Sequence, residues 1–153
     1  MQRITCTKRT MNMTLRIHSE ANKVMQQHAI ELFPDECCGF LYGHETDEVR
    51  TIEMAVPVVN SKDGDKKRRF EISPHDYMKA EQYALQNNIG LLGVYHSHPQ
   101  HPAIASEHDL KQAMPYFSYV ILSVMDAKMA DIKSWKLNEE NTRFLEEDIS
   151  NEQ

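Results

Sequence analysis

With 153 residues, 41% of them apolar, the chain can bury the core of one domain without disulfide or metal staples. Its 17 basic and 23 acidic residues leave a net charge of −6, which argues against non-specific binding to nucleic acid or anionic membrane. Three cysteines, two of them the adjacent Cys37 and Cys38, make no disulfide framework, and no apolar run approaches the roughly 18 residues of a membrane span. The polar N-terminus also lacks an apolar signal core, so a cytoplasmic setting is expected.

Residues 1–13 read as an extension without order of its own, 14–149 as one domain and 150–153 as a polar tail. Thr14–Ile17 is a short opening strand. Ser19 offers an N-cap to a helix through Leu32, with Val24, Ala29, Ile30 and Phe33 as its buried stripe and Pro34 beyond its end. Cys38–Gly43 and the β-branched run Val49–Val59 read as strands, and "NSKDGDKKRR" (60–69) as a turn-rich loop. Its Lys66-Lys67-Arg68-Arg69 run is either a solvated tip or a contact for an acidic partner. Phe70–Ile72 is short and extended.

Ser73 at the N-cap and Pro74 at the first helical position open a second helix to about Asn88. Ile89–Tyr95 is a buried strand, 99–105 a loop and Ser106–Met114 a short helix. Phe117–Met125 and Ala130–Leu137 pair as a hairpin through "DAK", and Arg143–Ile149 adds an edge strand or a helical tail. This order predicts an α/β or α+β class, a mixed sheet flanked by helices.

The chemistry concentrates in "VYHSHPQHPAIASEHD" (94–109). On an extended segment His96 and His98 point to one face, and Ser97 points away. Both imidazoles can reach one ion at the end of a buried strand. A catalytic zinc needs three nitrogen or oxygen ligands and one open position, and Asp109 is the best third candidate. The rival reading is a capping box, with Ser106 at the N-cap and Asp109 at the third helical position. "Ser73-Pro74-His75-Asp76" repeats the Ser-x-His-Asp pattern without a preceding His-x-His, so the helix start alone does not require a metal. The metal reading also needs a proton carrier. Glu36 fits, at a helix-to-strand junction beside the apolar 37–42 run where desolvation raises a carboxyl pKa; its alternative is an ordinary exposed loop carboxylate.

Other sites fare worse. "His18-Ser19-Glu20" lacks the Pro-Cys-x-x-Cys partner of zinc deaminases. No His-Glu-x-x-His helix, nucleophile elbow or phosphate-binding glycine loop occurs. Cys37 and Cys38 sit in an apolar strand, where thiols serve as packing.

The residues Glu36, His96-Ser97-His98-Pro99, Ser106 and Asp109, at their spacing, resemble the signature of the JAMM, or MPN-plus, metalloproteases. "PDECCGFLYG" around Glu36 is similar to the family's Glu-x-Cys-Gly-x-Leu-x-Gly stretch, and the likeness covers about 14–137. The resemblance implies a fold similar to cytidine deaminase and one Zn2+ held by His96, His98 and Asp109 with water as fourth ligand. It implies Glu36 as proton carrier and Ser106 as donor to the oxyanion of the scissile carbonyl. The compact chain looks most like small bacterial members that process ubiquitin-like sulfur carriers of the ThiS or CysO type. It therefore implies a metallopeptidase cleaving a peptide or isopeptide bond at a Gly-Gly C-terminus. Two alternatives are a non-catalytic MPN-type binding module and a zinc hydrolase acting on a non-protein amide.

Overall fold

The computed structural model describes residues 13–151. The expected extension thus lies outside the described residues apart from Met13. In chain order the elements are β1 (Thr14–Ile17), α1 (Ser19–Leu32), β2 (Cys38–Glu45), β3 (Val49–Val58), α2 (Pro74–Gln86), β4 (Gly90–Pro99), α3 (Glu107–Gln112), β5 (Ser118–Met125), β6 (Lys128–Leu137), β7 (Phe144–Glu147) and β8 (Ile149–Asn151). The class is the expected mixed one, and the strands form a single sheet in the order β7-β6-β5-β4-β2-β3-β1-β8. Pairings β4/β5, β1/β3 and β1/β8 are parallel, and the others are antiparallel.

β7 and β8 are separated only by Asp148, yet they pair with β6 and β1 at opposite edges of the sheet. The sheet is therefore curled until its two edges meet. Closure of this kind leaves fewer of the open strand edges that invite aggregation. The expected single edge element at 143–149 is in fact this pair of short strands.

α1 packs on one face, where Ala21, Met25 and Ala29 meet Leu15, Ile17, Leu41, Ile52, Tyr95 and Val120. The expected stripe was partly misplaced. Ile30 is 41% exposed, and the buried turn of α1 starts at Ala21. His18, with no side-chain cap bond, occupies the N-cap position expected of Ser19. α2 packs on the other face with Cys38, Phe40, Tyr42, Phe70 and Val94. Its start is as expected: the Ser73 hydroxyl accepts the Asp76 amide at 3.1 Å, and Pro74 follows.

The "DAK" turn closes the β5–β6 hairpin with Asp126 and Ala127 both at positive φ, 51° and 65°, as a type I′ turn requires. β4 sits in the middle of the sheet, between antiparallel β2 and parallel β5. It runs on through His96-Ser97-His98-Pro99 instead of ending before them. The two histidines are thus part of a paired, central strand. Opposite Tyr95 stands Gly39, where a Cβ would fall into the Tyr95 ring and 2.5 Å from the Val56 carbonyl.

Candidate metal centre

The register pairs Cys38 with His96, so Cys38, Glu36, His96 and His98 share the face on which α2 lies. Ser97 points the other way. Its hydroxyl accepts the Cys37 amide at 2.8 Å, and its own amide donates to the Cys37 carbonyl at 3.1 Å. This reciprocal pair locks the residue after Glu36 to the residue between the histidines.

His96 Nε2 and His98 Nε2 stand 3.3 Å apart. Asp109 completes the triangle, with Oδ1 3.3 Å from His96 Nε2 and Oδ2 3.3 Å from His98 Nε2. All three residues are buried. A tetrahedral zinc with nitrogen or oxygen ligands at about 2.0–2.1 Å puts neighbouring ligand atoms about 3.3–3.4 Å apart. The donor set therefore fits such an ion in both chemistry and spacing, and among the described residues these three form the group able to hold one.

The protonation states suit ligation too. His98 Nδ1 lies 2.9 Å from the Pro102 carbonyl, which can only accept, so the proton sits on Nδ1 and leaves Nε2 a lone pair. Burial outweighs the attraction of Asp109 and holds His96 below its ordinary pKa, neutral. For Asp109, burial opposes ionisation. It is outweighed by the facing imidazoles of His96 and His98 and by the Ser106 amide, which donates to Oδ2, so the carboxyl stays well below the usual carboxylate range.

Capping and ligation prove compatible. The Ser106 hydroxyl accepts the Asp109 amide at 3.1 Å, and Asp109 Oδ2 accepts the Ser106 amide at 2.9 Å. The capping box is complete, and the same carboxylate faces the histidines. At the comparison helix start, Ser73 caps Asp76 without any such triangle. Ser106 keeps its hydroxyl proton available, because towards Asp109 it acts only as an acceptor.

Glu36 is 4% exposed, and its Oε1 has no hydrogen-bond partner among the described residues. Burial, then repulsion from Asp109 and Asp65, pushes its pKa up to about 9. Glu36, His98 and Ser106 line one open cleft of about 320 Å³, together with Arg68, His101, Pro102 and Ile104. The structure thus brings all five candidate residues together. His108 turns aside, its Nε2 2.8 Å from Gln112 Nε2. The thiols are unsuited to nucleophilic work. Burial pushes Cys37 up to about 12 and Cys38 higher still.

Two supports were not legible beforehand. The Phe70 ring stacks on His96 at 4.3 Å and 25°, and it orients an imidazole whose Nδ1 has no partner among the described residues. Asn60, in the loop before it, bonds to the Glu36 carbonyl. The aromatic residue ending a basic run was the only sequence signal of the first. An Asn in a polar loop carries no signal of the second.

The family model for prokaryotic homologs of the JAB domain matches residues 18–138. The chain belongs to this prokaryotic JAB family. Among JAB relatives, a desampylase of Pyrococcus furiosus is 33% identical over 69% of this chain and 69% of its own length. A probable TtuB-protein conjugate cleaving protease of Thermus thermophilus is 30% identical over 61% of this chain and 60% of its own. Among solved structures, a Desulfitobacterium hafniense protein superposes with a TM-score of 0.78 at 28% identity, covering 91% of this chain and 93% of that one. A JAB1/MPN domain protein from Archaeoglobus fulgidus shares the fold, with a TM-score of 0.53 at 16% identity over 89% and 96%.

Proposed function

We propose that this JAB-family chain is a zinc-dependent isopeptidase that cleaves conjugates of a small ubiquitin-like carrier at the carrier's Gly-Gly C-terminus. A single domain over 14–149 carries the activity. The observation that supports this most is the 3.3 Å triangle of His96, His98 and Asp109 beside the Glu36 carboxyl, whose Oε1 has no partner among the described residues. The name of one relative, a probable TtuB-protein conjugate cleaving protease, points the same way.

Bound by His96, His98 and Asp109, zinc would acidify a water and polarise the scissile carbonyl. Glu36 ionises more readily once the charge of Asp109, which raises its pKa, is neutralised. It then takes the proton of the attacking water and passes it to the leaving amine. The Ser106 hydroxyl donates to the carbonyl oxygen as negative charge develops there. β1 covers β3 only as far as Ile52, so Glu53–Val58 has no strand partner on that side among the described residues. A second cleft of about 360 Å³ runs beside that edge from His28 and Val58 to Glu36. An extended Gly-Gly tail can add to such an edge through its backbone.

The exposed cations Lys66, Lys67, Arg68 and Arg69 have no ion-pair partner among the described residues; Lys66 lines the second cleft and Arg68 the metal cleft. They suit an acidic carrier body.

The direct test is cleavage of a Gly-Gly-linked carrier conjugate by purified protein with zinc, after chelation, and after zinc return. Activity lost and restored supports the reading. Zinc-bound protein that leaves conjugates intact but hydrolyses small amides points to non-protein chemistry, and protein that binds no metal and cleaves nothing points to a binding module.

A further inference from the structure

Oε1 of the buried Glu36 carboxyl has no hydrogen-bond partner among the described residues, so no bond at that oxygen fixes the side chain. Its position depends on its backbone. The Glu36 amide donates to the Lys66 carbonyl at 2.6 Å, and the next amide, Cys37, is taken by Ser97. The Glu36 carbonyl accepts from Asn60 Nδ2 at 3.1 Å.

Asn60 is buried, and its amide is saturated. Nδ2 also donates to the Arg69 carbonyl at 3.1 Å, while Oδ1 accepts the Lys62 and Glu71 amides at 3.0 Å each. Two donors and two acceptors meet four backbone groups, which uses the full hydrogen-bonding capacity of a carboxamide. No aspartate or aliphatic side chain of that size can do the same. The bonds to Arg69 and Glu71 bracket Phe70, whose ring stacks on His96. One side chain therefore ties the proton carrier to the loop that seats a metal ligand.

We propose that Asn60 is a positioning residue that holds Glu36 in register with the His96 side of the site. The proposal rests on the reading of Glu36 as proton carrier. A displacement of about 1 Å at a reacting group can cost on the order of 100-fold in rate. Losing the tether should therefore lower kcat more than it raises KM: Asn60 lies outside the metal cleft and only borders the second cleft, beside Val59 and Lys66.

The test uses Asn60→Ala and Asn60→Ser; the smaller polar residue leaves room for water to satisfy the loop amides. Assayed well below their unfolding temperatures, both should lose kcat by about 10- to 100-fold, a larger change than any in KM. In a Glu36→Gln background the same substitutions should cost nothing further, because the two residues act as one unit. Hydrogen exchange at the Glu36 amide should speed up in both variants, which reads the tether without any turnover. Wild-type kcat in folded Asn60→Ser, a full additional loss in the Glu36→Gln background, or unchanged Glu36 exchange would each overturn the proposal. If the wild type cleaves no conjugate, the proposed function fails by itself, and the exchange measurement still decides the tether.

Discussion

The Ser106 amide donates to Asp109 Oδ2 over 2.9 Å, and the same oxygen lies 3.3 Å from His98 Nε2. Helix capping and ligand placement are one arrangement: the cap fixes the carboxylate at the first turn of α3, where it meets a strand it could not reach unaided. This separates two roles that substitution can divide. Asp109→Asn keeps an oxygen for the Ser106 amide but loses the charge. It should fold without metal and be more stable than Asp109→Ala, yet lose most of its zinc affinity. Asp109→Ala should lose both, with a further cost of about 1 kcal/mol for the cap. Zinc titration and urea unfolding of the metal-free variants check this; equal stabilities for the two would contradict it.

Glu36→Gln should retain one zinc per chain and lose turnover by roughly 100-fold or more. Stoichiometric zinc with full activity would remove Glu36 from the mechanism.

The raised pKa of Glu36 has a consequence for metal-free protein. Below its ordinary value of 4.5 the carboxyl is protonated in both folded and unfolded chains and affects stability little. Between about 4.5 and about 9 the unfolded chain ionises while the folded one stays protonated, so Glu36 lowers stability as pH rises through that window. Glu36→Gln should therefore be more stable than wild type at pH 8, and the gap should close near pH 4.5. Urea unfolding at both values, with chelator present, measures it. Parallel pH curves for the two proteins would show that the buried carboxyl is not strained.

Reversing Lys66, Lys67, Arg68 and Arg69 to glutamate should raise KM for an acidic carrier conjugate about tenfold at low salt, with kcat nearly constant. The difference should shrink near 0.5 M salt, where the Debye length is only about 4 Å. Unchanged KM would leave the run as a solvated tip.

Cys38→Ala should keep kcat while losing about 1 kcal/mol of stability through packing. Both native thiols should resist alkylation at pH 8, since burial pushes them above their ordinary pKa. Inactivation by a thiol reagent on the folded protein would revive the cysteine alternative.

Strand parity put His96 and His98 on one face, Ser73 and Ser106 announced helix starts, and β-branched runs marked the sheet, because each depends on residues a few positions apart. Those local rules made the metal triad and the mixed α/β class legible. They also erred locally: the stripe of α1 was shifted, and β4 was ended before its histidines, whose polarity hides that they are paired and buried.

The sequence by itself thus determined which residues are candidate metal ligands, the capping chemistry of α2 and α3 and the alternation of strands and helices. Tertiary structure alone decided that Glu36 meets His98 and Ser106 in one cleft, that Asp148 brings the two sheet edges together, and that Asn60 and Phe70 brace the site. The physical reason is range. Periodicity records which neighbours share a face, whereas a hydrogen bond or ring contact between distant segments leaves no period in the chain and exists only once the sheet has closed.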